Sequence, residues 1–252
     1  MDNKKIQRKQ ALNQIHEKRV AEKRKQAQHR AAVTLHRLIK DIDTHPHNYH
    51  TYYDLGTFLV ELHNYVQAEE LFMKALGLFK NRSQEAKDTL IYGLANVYYA
   101  AGSFDKAIKY FNQVKEPKLK LNAYIMLAQS YMSKKDYKRA VVFALTAQGF
   151  RKQDPVINRL LGENLQALGN FRDAARFYKV ALQADPTNGP VYFNQGICHM
   201  VLGIPFSKDF ELAEKYNPKY VKKGQKRLAD IERFIQVNDG KGKKRSTKKD
   251  KK

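Results

Sequence analysis

The segment His45-Pro46-His47-Asn48-Tyr49-His50 sets three histidines within six positions. Imidazole nitrogens at short spacing suit a transition metal. No cysteine accompanies them, however, and the spacing matches no closed zinc site. Cys198 stands beside His199, a pair of types that could make an activated thiolate. Adjacency in the chain does not orient an imidazole on a thiol, so a packed thiol is the expected reading. The glycines of Gly240-Lys241-Gly242-Lys243-Lys244 lack the preceding strand and first glycine of a phosphate loop. No G-x-S-x-G elbow and no H-E-x-x-H helix occurs, and the carboxylates are scattered. The expectation is a chain that is not an enzyme and takes no cofactor or metal. Its function then rests on surfaces, and the elements that present those surfaces come next.

Those elements recur. "HNYVQA", "GSFDKA", "KDYKRA" and "GNFRDA" place aromatics at Tyr65, Phe104, Tyr137 and Phe171, each followed three residues later by Ala68, Ala107, Ala140 or Ala174. Upstream lie Leu55-Gly56, Leu94-Ala95, Leu127-Ala128 and Leu161-Gly162, with Gly196 as a fifth member, so the small residues are spaced 39, 33, 34 and 34 apart. Gly or Ala lets two helices approach closely, and large neighbours such as Tyr98, Phe111, Tyr131 and Tyr178 fill the remaining volume. Each pair leaves an apolar face that only a stacked neighbour covers.

This pattern resembles the tetratricopeptide repeat, a unit of two antiparallel helices in about 34 residues. The best unit, residues 155–188, matches at Leu161, Gly162, Leu165, Ala174, Tyr178, Ala181 and Pro186. The resemblance covers roughly residues 47–218 and implies an all-α solenoid of about five helix pairs, a right-handed superhelix with a concave groove. The second unit starts late, after "KNRSQ". The fifth is expected to be degenerate, with Lys208 at a small-residue position and an interrupting Pro205.

Register also decides the histidine segment. Pro46 lies ten residues before Gly56, as Pro186 lies ten before Gly196. Proline ends a helix, so "HPHNYH" reads as punctuation between helices. Leu35, Leu38, Ile39 and Ile42 share one helical face, giving a capping helix over 31–46. The remaining divisions are a basic helical extension over 1–30, repeats over 47–218, a C-terminal capping helix over 219–238 and a disordered Lys-rich tail over 239–252. About eleven helices and no sheet are expected.

Of 252 residues, 47 are Lys or Arg and 25 are Asp or Glu, a formal charge of +22 that points to an anionic partner or surface. Most of the excess sits at the ends. Cys198 is the single cysteine, so no intrachain disulfide can form. With no apolar core in "MDNKKIQRKQALNQ", a reducing cytoplasmic setting is expected. No apolar run approaches the ~20 residues a spanning helix needs, so no membrane insertion is expected.

In the family that the repeats resemble, the first helix of each pair lines the groove. Carried over by position, the resemblance implies a protein-binding groove of Tyr53, Thr57, Tyr92, Asn96, Tyr99, Ile125, Gln129, Met132, Arg159, Glu163 and Phe193. The Lys and Asn that clamp a peptide carboxylate in some members are absent, Tyr53 and Thr57 standing in the first unit. The expected function is an adaptor or scaffold holding a protein segment. The alternative is a nucleic-acid- or ribosome-associated factor. It would attract RNA, DNA or an acidic protein nonspecifically through Lys138, Arg139, Arg172 and Arg176 on the second helices and Lys243, Lys244 and Arg245 in the tail.

Overall fold

Asparagine, aspartate and proline decide where the helices begin. Asn48 accepts a hydrogen bond from the His50 N–H, Asp154 from Val156 and Ile157, Asn170 from Asp173, and Asn188 from Val191. Each satisfies a donor that the first helical turn leaves free. Pro155 adds a ring fixed near the helical φ at the first turn.

The computed structural model describes residues 2–246 of the 252, and the side chains of residues 13, 16–231 and 233. Among them are twelve helices and no strand. These are α1 (Asp2–Thr44), α2 (Tyr49–Glu61), α3 (Tyr65–Leu78), α4 (Gln84–Ala100), α5 (Phe104–Phe111), α6 (Pro117–Ser133), α7 (Tyr137–Phe150), α8 (Pro155–Ala167), α9 (Phe171–Ala184), α10 (Gly189–Val201), α11 (Ser207–Tyr216) and α12 (Pro218–Ser246). The fold is an all-α solenoid of helix pairs. Contacts divide the chain into two units, Met1–Lys106 with Gln113–Glu116, and Ala107–Asn112 with Pro117–Lys252.

In the first unit α1 packs on α2, and α2, α3 and α4 pack on one another. Phe72 of α3 is fully buried, its ring lying where a Cβ on either Gly56 or Gly93 would fall, 2.4 Å away in both cases. Two glycines on two helices thus make room for one ring. Asp88, also fully buried, accepts from the backbone N–H of Lys115 and Glu116, each at 2.6 Å, and ties the start of α4 to the 113–116 loop. In the second unit each of α6 to α11 packs on the next, and α12 covers α10 and α11. Tyr178 of α9 fills the space above Gly162, as Phe72 does above Gly56.

A left-handed residue ends the first helix of each pair: His63, Gly102, Lys135, Gly169 and Gly203, with φ between 60° and 79°. Their intervals, 39, 33, 34 and 34, are those of the small residues. The 39-residue interval arises because α4 starts a full turn earlier, relative to Ala95, than α2 does relative to Gly56. α6 is lengthened in the same way, and the shortness of α5 offsets it.

The fifth pair departs from expectation in a specific way. Phe210 meets Gly196 from fourteen residues downstream, whereas Tyr178 and Phe72 lie sixteen beyond their glycines. Ala213, the buried alanine of α11, lies seventeen beyond Gly196, against nineteen for Ala181 and Gly162. The connection before α11 is two residues longer, 202–206 against 168–170, while α11 begins a full turn later in its packing register, so exposed Lys208 does not occupy the close-contact position assigned to it. α1 runs unbroken past residue 30 and stops at Thr44, before Pro46. The tail expected from 239 is helical in its backbone as far as Ser246, and 247–252 lie outside the described residues.

Candidate functional site

The second unit contains a cleft of about 1000 Å³. The first helices of successive pairs supply Met132 from α6, Arg159, Glu163 and Gln166 from α8, and Asn194, Ile197 and Val201 from α10. Phe171 at the start of α9 adds a ring, and α12 forms the far wall with Tyr220, Arg227, Asp230 and Ile231. Three positions carried over from the repeat register, Met132, Arg159 and Glu163, are therefore brought together.

The polar groups here are held in place. Arg159 and Glu163, one turn apart on α8, form a half-exposed ion pair at 2.7 Å. The Gln166 carbonyl oxygen accepts from the Tyr178 hydroxyl at 2.7 Å, which aims the amide. Arg227 donates to Asn194 Oδ1 at 2.7 Å with its guanidinium 5.5 Å from the Phe193 ring. The charged lining is balanced, two arginines against Glu163 and Asp230. A cleft with apolar walls and a few oriented polar groups suits a peptide or small organic ligand.

Phe193 requires a correction. It is fully buried, packed edge-on by Phe210 and Tyr220, and Gly224 of α12 sits so close that an added Cβ would fall 2.4 Å from its ring. α12 occupies the surface that a ligand would have used. A signal existed in the sequence: Tyr220, Val221, Leu228 and Ile231 form a helical apolar stripe, and all four pack around Phe193, Ile197 and Ala213. Ile125 packs beside the core of Ala128, Ala144 and Ile157. Gln129 is half-buried on the same helix.

In the first unit, Tyr53 and Thr57 of α2 come near Tyr92 and Asn96 of α4. Burial raises the pKa of both phenols, offset at Tyr53 by a hydrogen bond with Thr57 and at Tyr92 by one with Asn96. Tyr53 also meets Phe72 edge-on at 6.2 Å, and Tyr99 meets Phe104 at 5.7 Å. Tyr53 and Thr57 share a small cleft with Thr34, Arg37 and Leu38 of α1. The capping helix thus forms one wall of their surroundings.

The cations on the second helices are partly committed. Arg139 is paired with Asp136, whose carboxyl is held low by that hydrogen bond, and it lies 4.6 Å over the Tyr131 ring. Arg176 pairs with Asp173 at 3.3 Å. Lys138 and Arg172 are exposed. The side chains of Lys243, Lys244 and Arg245 lie outside the described residues. Cys198 is fully buried, and that burial pushes its thiol up to about 12. Its neighbour His199 is engaged by Asp209 at 2.7 Å. His45, His47 and His50 are exposed around the Asn48 cap, and no metal-binding group of three ligands occurs among the described residues.

Tetratricopeptide-repeat family profiles match residues 49–116 and 121–154. The chain is a tetratricopeptide-repeat protein, and its fold is that of a protein-interaction scaffold. Similar solved structures include YrrB, described as a TPR protein with an unusual peptide-binding site. It is 18% identical with a TM-score of 0.57, over 73% of this chain and 94% of that one. MamA AMB-1 is 18% identical with a TM-score of 0.54, over 68% and 92%. MamA MSR-1 is 17% identical with a TM-score of 0.55, over 68% and 98%. No curated protein matches the chain in sequence. Among the described residues no helix is long and apolar enough to cross a membrane.

Proposed function

We propose that this chain is a non-enzymatic adaptor that holds a segment of a protein partner in the cleft of its second unit. One observation carries the reading: Met132 from one repeat and Arg159 and Glu163 from the next line a single cleft with Ile197, Phe171 and Ile231. The apolar walls take side chains of an extended or helical segment, and Gln166 and the Arg159–Glu163 pair offer hydrogen bonds to its backbone. The balanced charge of the lining favours a protein segment over a polyanion. The peptide-binding site ascribed to YrrB is in keeping with this use of the fold.

The test is selection of a displayed random-peptide library on the full chain. Peptides with spaced apolar anchors should be enriched, and Met132→Glu with Arg159→Ala should weaken them by at least about tenfold, roughly 1.4 kcal/mol, with helicity retained. Selected peptides that bind the double variant as well as the parent would move the site elsewhere.

A further inference from the structure

Residues 16–30 of α1 form a helix that nothing in its own unit covers. All fifteen are exposed save Val20, which is half-buried. Six are basic (Lys18, Arg19, Lys23, Arg24, Lys25 and Arg30), two are acidic (Glu17 and Glu22), and none joins an ion pair among those described. A helix that is polar all round and unsupported by packing or ion pairs has no folding reason to carry such charge.

The distribution of the cations matters more than their number. Successive residues turn by about 100° around a helix. Lys18 with Lys25, Arg19 with Lys23 and Arg30, and Arg24 therefore point in three directions about 120° apart around the helix, with uncharged or acidic strips between them. A flat anionic surface would use one side only, and a membrane would also need a broad apolar face, for which Val20 alone is available. Cations all round suit a helix flanked by phosphates on both sides. The major groove of B-form DNA, about 12 Å wide, admits a helix of about 10–12 Å diameter, whereas that of an RNA duplex is too narrow.

We infer that residues 16–30 of α1 are a cationic arm that enters the major groove of duplex DNA and contacts phosphates on both strands. Contact is to the backbone, so it carries no base specificity. The arm acts independently of the peptide cleft in the second unit.

The test uses the full chain and fluorescence anisotropy with a DNA duplex at several salt concentrations. An RNA duplex of the same sequence, polyglutamate and phosphatidylserine vesicles serve as parallel probes. Glutamine at Lys18, Arg19, Lys23, Arg24, Lys25 and Arg30 keeps helix propensity and removes the charge. This variant should lose at least about tenfold in DNA affinity, its log-log salt slope becoming shallower by about 0.9 for each cation that had met a phosphate. A control with glutamine at Lys74, Lys80, Arg151, Lys152, Lys179 and Lys208 removes equal charge from exposed sites elsewhere. It should keep parental affinity within about threefold. Equal loss in both variants, unchanged binding by the arm variant, or tighter binding of any parallel probe than of DNA would overturn the inference.

Discussion

The ring of Tyr178 lies 2.4 Å from the position a Cβ on Gly162 would take, so α8 and α9 meet at a contact where no side chain fits. Tyr178 is fully buried and cannot swing outward. Gly162→Leu should lower the free energy of unfolding by about 1–3 kcal/mol through overpacking. Urea denaturation reads this directly, and an unchanged midpoint would mean that the two helices are not packed through this pair.

The left-handed turn residues predict opposite outcomes at equivalent positions. Gly169 has φ of 79° and open space around its Cα, so Gly169→Ala meets only the conformational penalty, about 1 kcal/mol. Exposed Lys135, at φ 61°, already bears that penalty. Lys135→Gly should therefore stabilise by up to about 1 kcal/mol, less the chain entropy that glycine adds to the unfolded state. Thermal denaturation of both variants compares the signs.

Asp88 predicts a larger loss. Asp88→Ala removes a buried carboxylate and leaves the N–H groups of Lys115 and Glu116 without their acceptor, at a cost of about 1–3 kcal/mol. Amide exchange at 115 and 116 should accelerate in this variant. Preserved protection there would contradict the tie.

How much of this was legible in the sequence depends on whether the signal is local. The Gly162–Tyr178 contact is, because a small and a large residue sixteen apart on consecutive helices repeat at Gly56 and Phe72. Phe193 was misassigned for the opposite reason. Its position in α10 matches a groove position, and only the docking of α12, which lies outside the repeat period, buries it. The missing first turn of α11 was likewise hidden, since Pro205 marked an irregularity without showing how the chain closes it. Asp88 carried no signal of its tie to the loop, because its partners there are backbone groups of residues 115 and 116.

Burial of Cys198 sets a pH dependence. The folded thiol titrates near 12 while an exposed one titrates near 9, so the unfolded chain releases this proton first. The contribution is fully present below pH 9 and is lost as pH rises from 9 towards 12, in which range the raised phenols of Tyr53 and Tyr92 act in the same direction. A disulfide reagent at pH 8 should react with Cys198 far more slowly in folded than in urea-unfolded protein. Equal rates would place the thiol at the surface.

The cleft of the second unit is the centre of the functional account, and hydrogen exchange of the full chain with and without a selected peptide tests it most directly. Binding between α8, α10 and α12 should slow amide exchange in Pro155–Ala167, in Gly189–Val201 and in the first half of α12, leaving α11 and the part of α9 beyond its first turn unchanged. Protection confined to α9 and α11, or to the first unit, would contradict it.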